Sequence, residues 1–233
     1  MSVQTEAIVL SCVPFQDKNL IVRLFTETEG LKSYFVRQAT GTKNKRKLGY
    51  FQPLSLIEIQ ATHKNKGTLE YINEIKSSFP LKSLHINPVK SLLCLFISEF
   101  LTFALREETA QKELFSFLKN SIIHLDTTTH FSNIHLIVIL ELSSYLGFFP
   151  QKSDGHYFDP VLGTFEIEST HHSFDANESQ LLKRLLSIQM NTTEKHFSVI
   201  ERRQLLEMLL VYYHIHLGTK PNLQSYEIIK ELF

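Results

Sequence analysis

The chain has 233 residues, 43% hydrophobic and 21% charged, which is typical of one large or two small globular domains and excludes a disordered chain. Its formal net charge is zero, but residues 1–80 hold eleven Lys and Arg against seven Asp and Glu, a balance of +4, and the remainder holds thirteen against seventeen, a balance of −4. The two cysteines, Cys12 and Cys94, form no CxxC pair, which argues against a disulfide framework and a thiolate metal site.

The first eighty residues have the pattern of short β-strands. Residues 1–6 lack the basic region of a signal peptide, so we expect a cytoplasmic protein. Apolar runs separated by turn residues predict strands over residues 6–10, 20–25, 31–36, 54–60 and 68–75. Five short strands predict a small closed barrel of the OB type, a fold that commonly binds strands of nucleic acid.

After Pro80 the hydrophobic period changes to that of helices. Asn87 and Pro88 predict a helix start, and further helical segments follow over residues 114–125 and 132–146. Capping boxes begin at Asp175 and Ser198, and the last long helix ends near Gly218. The sequence therefore predicts an α+β protein with an OB-type domain over residues 1–79 and a helical domain over residues 80–233.

A run of positive charge interrupts the barrel. Residues 31–57 contain no Asp or Glu, and they carry Lys32, Arg37, Lys43, Lys45, Arg46 and Lys47. Like charges so close together repel one another unless they stay solvated or meet a polyanion, so nucleic acid is the leading candidate ligand. A second loop adds Lys64 and Lys66, although a simple polar hairpin turn would have the same composition.

Aromatic residues flank the basic run. Tyr34 and Tyr50 are candidates for stacking on unpaired bases, an interaction that is tolerant of sequence. The alternative is a solvated hairpin tip beside aromatic residues of the barrel core.

Little in the sequence predicts catalysis. The chain has no phosphate-binding GxxxxGK[ST] loop, no GxGxxG, no GxSxG and no HExxH. His156, Asp159, His171 and His172 are ligand types for zinc, but their spacing matches no closed metal site. We therefore expect no catalytic residues, no metal and no cofactor, and we keep two alternatives: an OB-fold scaffold for protein interactions, and a metal-dependent hydrolase that uses the histidine segment.

The ordered combination of several segments resembles the RecO family of bacterial recombination mediators. The similar segments are residues 6–10 (EAIVL), 17–27 (DKNLIVRLFTE), 29–30 (EG), 51–58 (FQPLSLIE), 141–150 (ELSSYLGFFP) and 216–221 (HLGTKP). The resemblance spans both halves of the chain, and it implies an OB domain followed by a helical domain.

The same resemblance implies a function without catalysis. Proteins of this family bind single- and double-stranded DNA and anneal complementary strands at the nucleoid. With RecR they help RecA load onto single-stranded DNA that is covered by single-stranded-DNA-binding protein. Carried over residue by residue, the DNA-contacting role falls on Arg37, Lys43, Lys45, Arg46 and Lys47.

One segment departs from the family pattern. Many members carry a four-cysteine zinc module after the Leu-Gly-aromatic-x-Pro segment, whereas residues 148–174 of this chain contain no cysteine. Thiolate ligation is impossible there, which leaves histidine ligation by His156, His171 and His172 as the alternative. Turn signals indicate a small hairpin or inserted subdomain, and we expect it to be held by apolar packing of Tyr157, Phe158, Val161, Phe165 and Ile167.

The acidic helical half is a candidate surface for protein partners. The acidic, hydrophobic tail of single-stranded-DNA-binding protein would require an apolar groove with a cation beside it. The candidates are Phe103, Arg106, Lys112, Phe115 and Lys119. The alternative is a buried apolar stripe flanked by solvated lysines.

Overall fold

The computed structural model describes residues 1–16, 18–37, 39, 48–63, 69–106, 109–192 and 196–232. The chain forms two compact units, Met1–Thr127 with Leu223–Ser225 and Thr128–Asn222 with Tyr226–Phe233. The first unit therefore continues past residue 79, because two helices group with the barrel. The domain boundary at residue 79 remains a prediction.

Five strands of the first unit close into a barrel. They are Ser2–Phe15 (β1), Asn19–Thr26 (β2), Gly30–Val36 (β3), Leu56–Thr62 (β4) and Glu70–Ser77 (β5). Their order is β1-β2-β3-β5-β4, and β4 pairs back onto β1. The pairs are antiparallel except β3 with β5, which is parallel. The predicted barrel, followed by a helical region, is confirmed.

Alternation of side chains along the strands fills the barrel. In β2, Leu20, Val22 and Leu24 are buried in the core, and the residues between them lie on the outer face. In β3, Tyr34 and Val36 are buried in the same core. One face of each strand thus packs inside, and the other face is left for helices or for ligands.

Two helices complete the first unit, Pro88–Ala104 (α1) and Lys112–Thr127 (α2). The predicted start of α1 is confirmed, since the side chain of Asn87 accepts hydrogen bonds from the backbone N–H groups of Val89 and Lys90. Phe115 of α2 packs against Phe25 of β2, with ring centroids 6.1 Å apart. The helix α2 therefore covers part of the outer face of the barrel.

A buried carboxylate fixes the connection between the barrel and α1. Asp126 accepts hydrogen bonds from the backbone N–H groups of Lys82, Ser83 and Leu84, with nitrogen–oxygen distances of 2.7 to 3.0 Å. The Lys90 ammonium donates to the backbone carbonyl of Asp126 and to the Ser83 hydroxyl, both at 2.8 Å. The end of α2 is thereby tied to the segment that leads into α1.

A short segment from far along the chain also belongs to the first unit. Glu99 of α1 accepts hydrogen bonds from the backbone N–H and the hydroxyl of Ser225, at 3.0 and 2.6 Å. Ser225 is buried. The segment Leu223–Ser225 is therefore an integral part of this unit.

The second unit is helical with one small hairpin. Its elements are Ile134–Tyr145 (α3), Tyr157–Asp159 (β6), Thr164–Glu166 (β7), Ala176–Leu186 (α4), Val199–Leu217 (α5) and Tyr226–Leu232 (α6). Both predicted capping boxes are present, at Asp175 with Glu178 and at Ser198 with Glu201. Across the described residues, no helix has the length and apolar character needed to cross a bilayer.

The irregular segment before α4 contains the small hairpin that the sequence predicted. Phe158 and Phe165 are buried and pack on each other, with ring centroids 5.0 Å apart, as expected. Val161 and Ile167 were expected to pack with them, but they are 47% and 77% exposed, because one lies at the hairpin tip and the other follows β7. Tyr157 is half-buried. The expectation of apolar packing is correct for the two phenylalanines and wrong for Val161 and Ile167.

Candidate nucleic-acid interface

Two of the eight basic residues predicted to bind DNA, Lys32 and Arg37, lie within the residues that the structure describes. Arg37 is exposed, and its guanidinium lies over the ring of Tyr71, 5.0 Å from the centroid. Lys32 is half-buried and alternates in phase with Tyr34 and Val36, which are buried in the barrel core. These two cations therefore do not share a face. The predictions for Lys43, Lys45, Arg46, Lys47, Lys64 and Lys66 fall outside the described residues.

Tyr34 is not available for base stacking. Its side chain is fully buried in the barrel, and its hydroxyl lies 3.0 Å from Nε2 of His63. Burial, with smaller contributions from the charges of Glu29 and Glu70, raises the pKa of Tyr34 well above its usual value, so the hydroxyl stays protonated. The stacking prediction for Tyr34 is therefore wrong, because strand alternation turns this ring inward.

Tyr50 lies at the edge of the barrel. It is half-buried and packs against the core cluster. It also lines an open cavity of about 260 Å³, together with Gln52, Ser77 and His85. Its stacking role stays a prediction.

An aromatic row that the sequence analysis missed crosses the outer face of the barrel. Phe15 of β1, Phe35 of β3 and Tyr71 of β5 are its members. The ring centroids of Phe15 and Phe35 are 6.0 Å apart, and those of Phe35 and Tyr71 are 5.8 Å apart. Both pairs meet nearly at right angles, with interplanar angles of 81° and 70°. We call these three residues the aromatic row.

Strand register explains how distant residues form this row. Phe35 pairs with Ile21 of β2 on one side and with Tyr71 of β5 on the other, and Ile21 pairs with Val13 of β1. Paired residues share a face of the sheet. Since Tyr34 is inside, Phe35 must be outside, and the run Phe35-x-Arg37 is the signal that could have indicated an exposed aromatic beside a cation.

Among the described residues, a helix packs on one end of this outer face. Phe25 and Leu31 lie on it where α2 covers the sheet, and both are buried. Further along the strands, Ile21 and Phe35 are half-buried, and Val13 and Phe15 are 56% and 39% exposed. The aromatic row therefore lies on the open end of the sheet.

Two of the side chains predicted to form a groove for a partner tail contact the barrel. Phe115 is only 2% exposed, because it packs on Phe25 of the barrel. The ammonium of Lys119 is 2.5 Å from the carboxylate of Glu6 on β1. The prediction for Phe115 is wrong, because its buried ring joins α2 to the barrel, and the role of Lys119 in binding a partner tail stays a prediction.

The other three groove candidates remain on the surface. Phe103 is half-buried and packs beside Phe100, with ring centroids 6.0 Å apart. Arg106 and Lys112 are exposed. Their role in binding a partner tail stays a prediction.

The histidine segment does not gather metal ligands. His156, His171 and His172 are exposed. Within the part of the chain that the structure describes, no group of three His, Cys, Asp or Glu side chains is placed to hold a metal ion. Asp159 instead accepts hydrogen bonds from the backbone of Val161 and Leu162 and from the hydroxyl of Thr170. The carboxylate thus stabilises the hairpin turn.

Comparison with known proteins identifies two family models that cover most of the chain. Residues 1–80 match the model described as Recombination protein O N terminal. Residues 86–225 match the model described as Recombination protein O C terminal. The first match contains the barrel with the aromatic row, and the second contains α1 to α5 and the small hairpin.

Full-length relatives agree with these matches. The chain is 43% identical to DNA repair protein RecO of Flavobacterium johnsoniae and 40% identical to the protein of the same name from Flavobacterium psychrophilum, in both cases over all of both chains. It is 36% identical to DNA repair protein RecO of Bacteroides fragilis, over 99% of this chain and 98% of the relative.

Proposed function

Since the chain belongs to the RecO family of non-catalytic DNA repair and recombination proteins, we propose that it is a DNA-binding recombination mediator of the cytoplasm. In this proposal it binds single- and double-stranded DNA and anneals complementary strands. With RecR, it assists RecA in loading onto single-stranded DNA that is covered by single-stranded-DNA-binding protein.

The observation that carries the proposal is the concentration of positive charge on the barrel domain. Residues 31–57 have six Lys and Arg and no Asp or Glu, although the whole chain is neutral. Arg37, one of these six residues, is exposed directly after β3. Such a surface can neutralise several phosphates, which supplies affinity without sequence preference.

The same electrostatics explain how a protein without catalytic groups accelerates annealing. Two complementary strands repel each other through their phosphates before they can pair. A cationic surface that holds both strands reduces this repulsion and raises their local concentration. No bond in the DNA is made or broken, so the role requires charge and geometry alone.

The salt dependence of binding to a single-stranded oligonucleotide tests the proposal. If about five phosphates are neutralised, the logarithm of the affinity falls with the logarithm of the salt concentration with a slope of about −3.5, or about −0.7 per contact. Changing Lys45 and Lys47 to Ala removes two contacts and flattens the slope by about 1.4. Fluorescence anisotropy titrations at several salt concentrations measure both slopes.

A matched control separates local contacts from net charge. Lys152 and Lys220 are exposed residues of the second unit, and changing both to Ala removes the same charge. We expect this control to keep the slope of the unmodified protein. Equal slopes for all three proteins would contradict the assignment of the phosphate contacts to residues 43–47, the basic segment.

An annealing assay with two complementary labelled strands tests the activity itself. The unmodified protein and the Lys152, Lys220 control should accelerate annealing, and the Lys45, Lys47 variant should be slower. An OB-fold scaffold for proteins would instead bind DNA no better than a neutral protein at moderate salt. That result, with no annealing, would exclude the proposed function.

A further inference from the structure

Three aromatic side chains are held in a row on the water-facing surface of the barrel domain. Phe15 and its neighbour on the same face, Val13, are the most exposed, and Phe35 and Tyr71 are half-buried. Neighbouring rings are ordered by edge-to-face contacts at 6.0 and 5.8 Å. This perpendicular packing fixes the rings without stacking their flat faces on one another.

The position of the row distinguishes it from the core. At the other end of the same face, Phe25 and Leu31 are buried, because α2 packs over the sheet there. The aromatic row has the same apolar character, but in the described structure water reaches it. A contiguous exposed apolar patch on a folded protein commonly marks a binding surface.

The charge beside the row favours a nucleic acid as its ligand. Arg37 lies over Tyr71, at one end of the row. Phe35 and Arg37 both belong to the acid-free run of residues 31–57. Aromatic faces beside a cationic surface are the combination that binds single strands, because bases stack on the rings and cations contact the phosphates.

The spacing of the rings favours an extended strand over a duplex. Successive nucleotides of one strand of duplex DNA rise by about 3.4 Å. The ring centroids are 5.8 to 6.0 Å apart and neighbouring rings are nearly perpendicular, so bases on them cannot stay parallel and closely spaced as in a duplex, and a base on each ring requires a strand that is spread and unpaired. In a duplex the flat faces of the bases are also covered by their neighbours.

We propose that Phe15, Phe35 and the face of Tyr71 that Arg37 does not cover form a base-stacking platform for unpaired nucleotides, with Arg37 contacting the strand at its end. This inference rests on the proposed function and adds the surface that distinguishes single strands from duplex. The basic segment supplies charge-dependent affinity for any nucleic acid. The platform supplies affinity that depends on exposed bases and little on salt.

A single tryptophan provides a direct test in the full-length protein. The chain contains no Trp, so Phe35→Trp places the sole indole on the platform. Adding a short oligothymidylate should quench its fluorescence, and quenching should persist as salt is raised at saturating oligonucleotide. The same length of duplex should leave the fluorescence nearly unchanged. Equal quenching by duplex, or none by either ligand, would overturn the platform.

Affinity measurements provide the second test. Replacing Phe35 by Leu and Tyr71 by Leu keeps apolar side chains but removes the rings. Each change should weaken single-strand binding by between about 5-fold and about 150-fold, as expected for the loss of one stacked base, without altering the salt slope. Tyr71→Phe keeps the ring and should bind as the unmodified protein does. Thermal unfolding of each variant confirms that the fold is retained.

The two proposals fail in different ways. If the leucine variants bind single strands as tightly as the unmodified protein, while the Lys45, Lys47 variant shows the expected flatter salt slope, the platform is wrong and the proposed function stands. If the unmodified protein binds no oligonucleotide at low salt, the function itself is wrong. If the leucine variants lose binding to a partner protein such as RecR and keep DNA affinity, the row is a protein-binding surface and the inference is overturned.

Discussion

The hydroxyl of Tyr34 and Nε2 of His63 lie 3.0 Å apart inside the barrel, where both side chains are almost completely buried. On its other side, Nδ1 of His63 is 3.5 Å from a carboxylate oxygen of Glu29. The contact therefore links β3, the end of β4 and the turn before β3. It identifies Tyr34 as a structural residue.

Replacing Tyr34 by Phe should reduce stability and leave DNA binding intact. The change removes one buried hydrogen bond and leaves the imidazole of His63 without it, a loss of about 1–3 kcal/mol in the free energy of unfolding. Urea denaturation measures this loss, and anisotropy titration measures the affinity. The apparent affinity for DNA should fall only as far as the fraction of folded protein falls. A larger loss of affinity would indicate that Tyr34 contacts DNA.

Lys119 and Glu6 should show a modest coupling energy. Both side chains are about 30% exposed, so solvent screens the ion pair and we expect a coupling of about 0.5–1 kcal/mol. The double-mutant cycle of Lys119→Met, Glu6→Gln and both together measures it by denaturation. In the same samples, Lys119→Met should bind an acidic peptide that carries the tail sequence of single-stranded-DNA-binding protein as well as the unmodified chain does.

Replacing Asp126 by Asn should be costly. Three backbone N–H groups donate to Oδ1 of this carboxylate, and Asn would remove the negative charge that they stabilise and place a donor where Oδ2 accepts from the Lys82 N–H. We expect a loss of about 2–4 kcal/mol in unfolding free energy. Asp154→Asn changes an exposed residue in the same chemical way and should lose almost nothing. Similar losses for the two variants would contradict this account.

Asp126 should also make the stability of the folded protein sensitive to acid. Burial alone would raise its pKa, but the N–H groups that donate to the carboxylate lower the pKa below its usual 3.8. The unfolded state then binds the proton more readily than the folded state does. The stabilisation is therefore complete above pH 3.8 and is lost as the pH falls through the lower pKa of the folded protein. Denaturation curves of the Asn variant should lack this contribution.

His135 should contribute acid sensitivity at milder pH. Its side chain is fully buried in α3, and burial, with a smaller contribution from the charge of Arg202, lowers its pKa from 6.5 to about 3. Below pH 6.5 His135 binds a proton in the unfolded chain but not in the folded chain, so the free energy of unfolding decreases as the pH is lowered. One pH unit below that value the loss is about 1.4 kcal/mol. Replacing His135 by Leu should remove this pH-dependent loss of stability. The loss is measured as the difference in unfolding free energy between a buffer above pH 6.5 and a buffer one pH unit below 6.5.

Gly30 should not tolerate a side chain. Its φ is +67°, and a Cβ there would lie 2.2 Å from the backbone oxygen of Thr109. Gly30→Ala should therefore lose about 2–4 kcal/mol of stability. Gly49→Ala is the matched control, because its Cβ would meet no heavy atom within 4 Å in the described structure. Equal melting temperatures for the two variants would contradict the clash.

Local signals explain why so much of the fold was predictable. The capping boxes at Asp175 and Ser198, and Asn87 before Pro88, act within four residues, and the structure confirms each of them. The apolar runs between turns fixed the barrel strands to within a few residues, except that β1 continues to Phe15. These features depend on backbone chemistry near each residue.

The binding surface was less predictable because it depends on distant pairing. Whether Tyr34 or Phe35 faces water follows from which side of β3 closes the barrel, and the sequence of one strand does not specify this. Phe115 and Lys119 are residue types that could form a surface groove. However, Phe115 is buried against Phe25, and Lys119 forms an ion pair with Glu6, and both partners are about a hundred residues away in the sequence. Residue type indicated which side chains could bind a ligand. The residues that they contact in the folded protein determine which of them are exposed to bind one.

The return of Leu223–Ser225 to the first unit has a consequence for synthesis. Glu99 can accept the two hydrogen bonds from Ser225 only after that residue, 126 positions later in the chain, has left the ribosome. The barrel can form early, but the structure around α1 is completed only after Ser225 has been synthesised. A fragment cut after Thr127 would carry the barrel and both neighbouring helices, and its Glu99 carboxylate would have lost this partner.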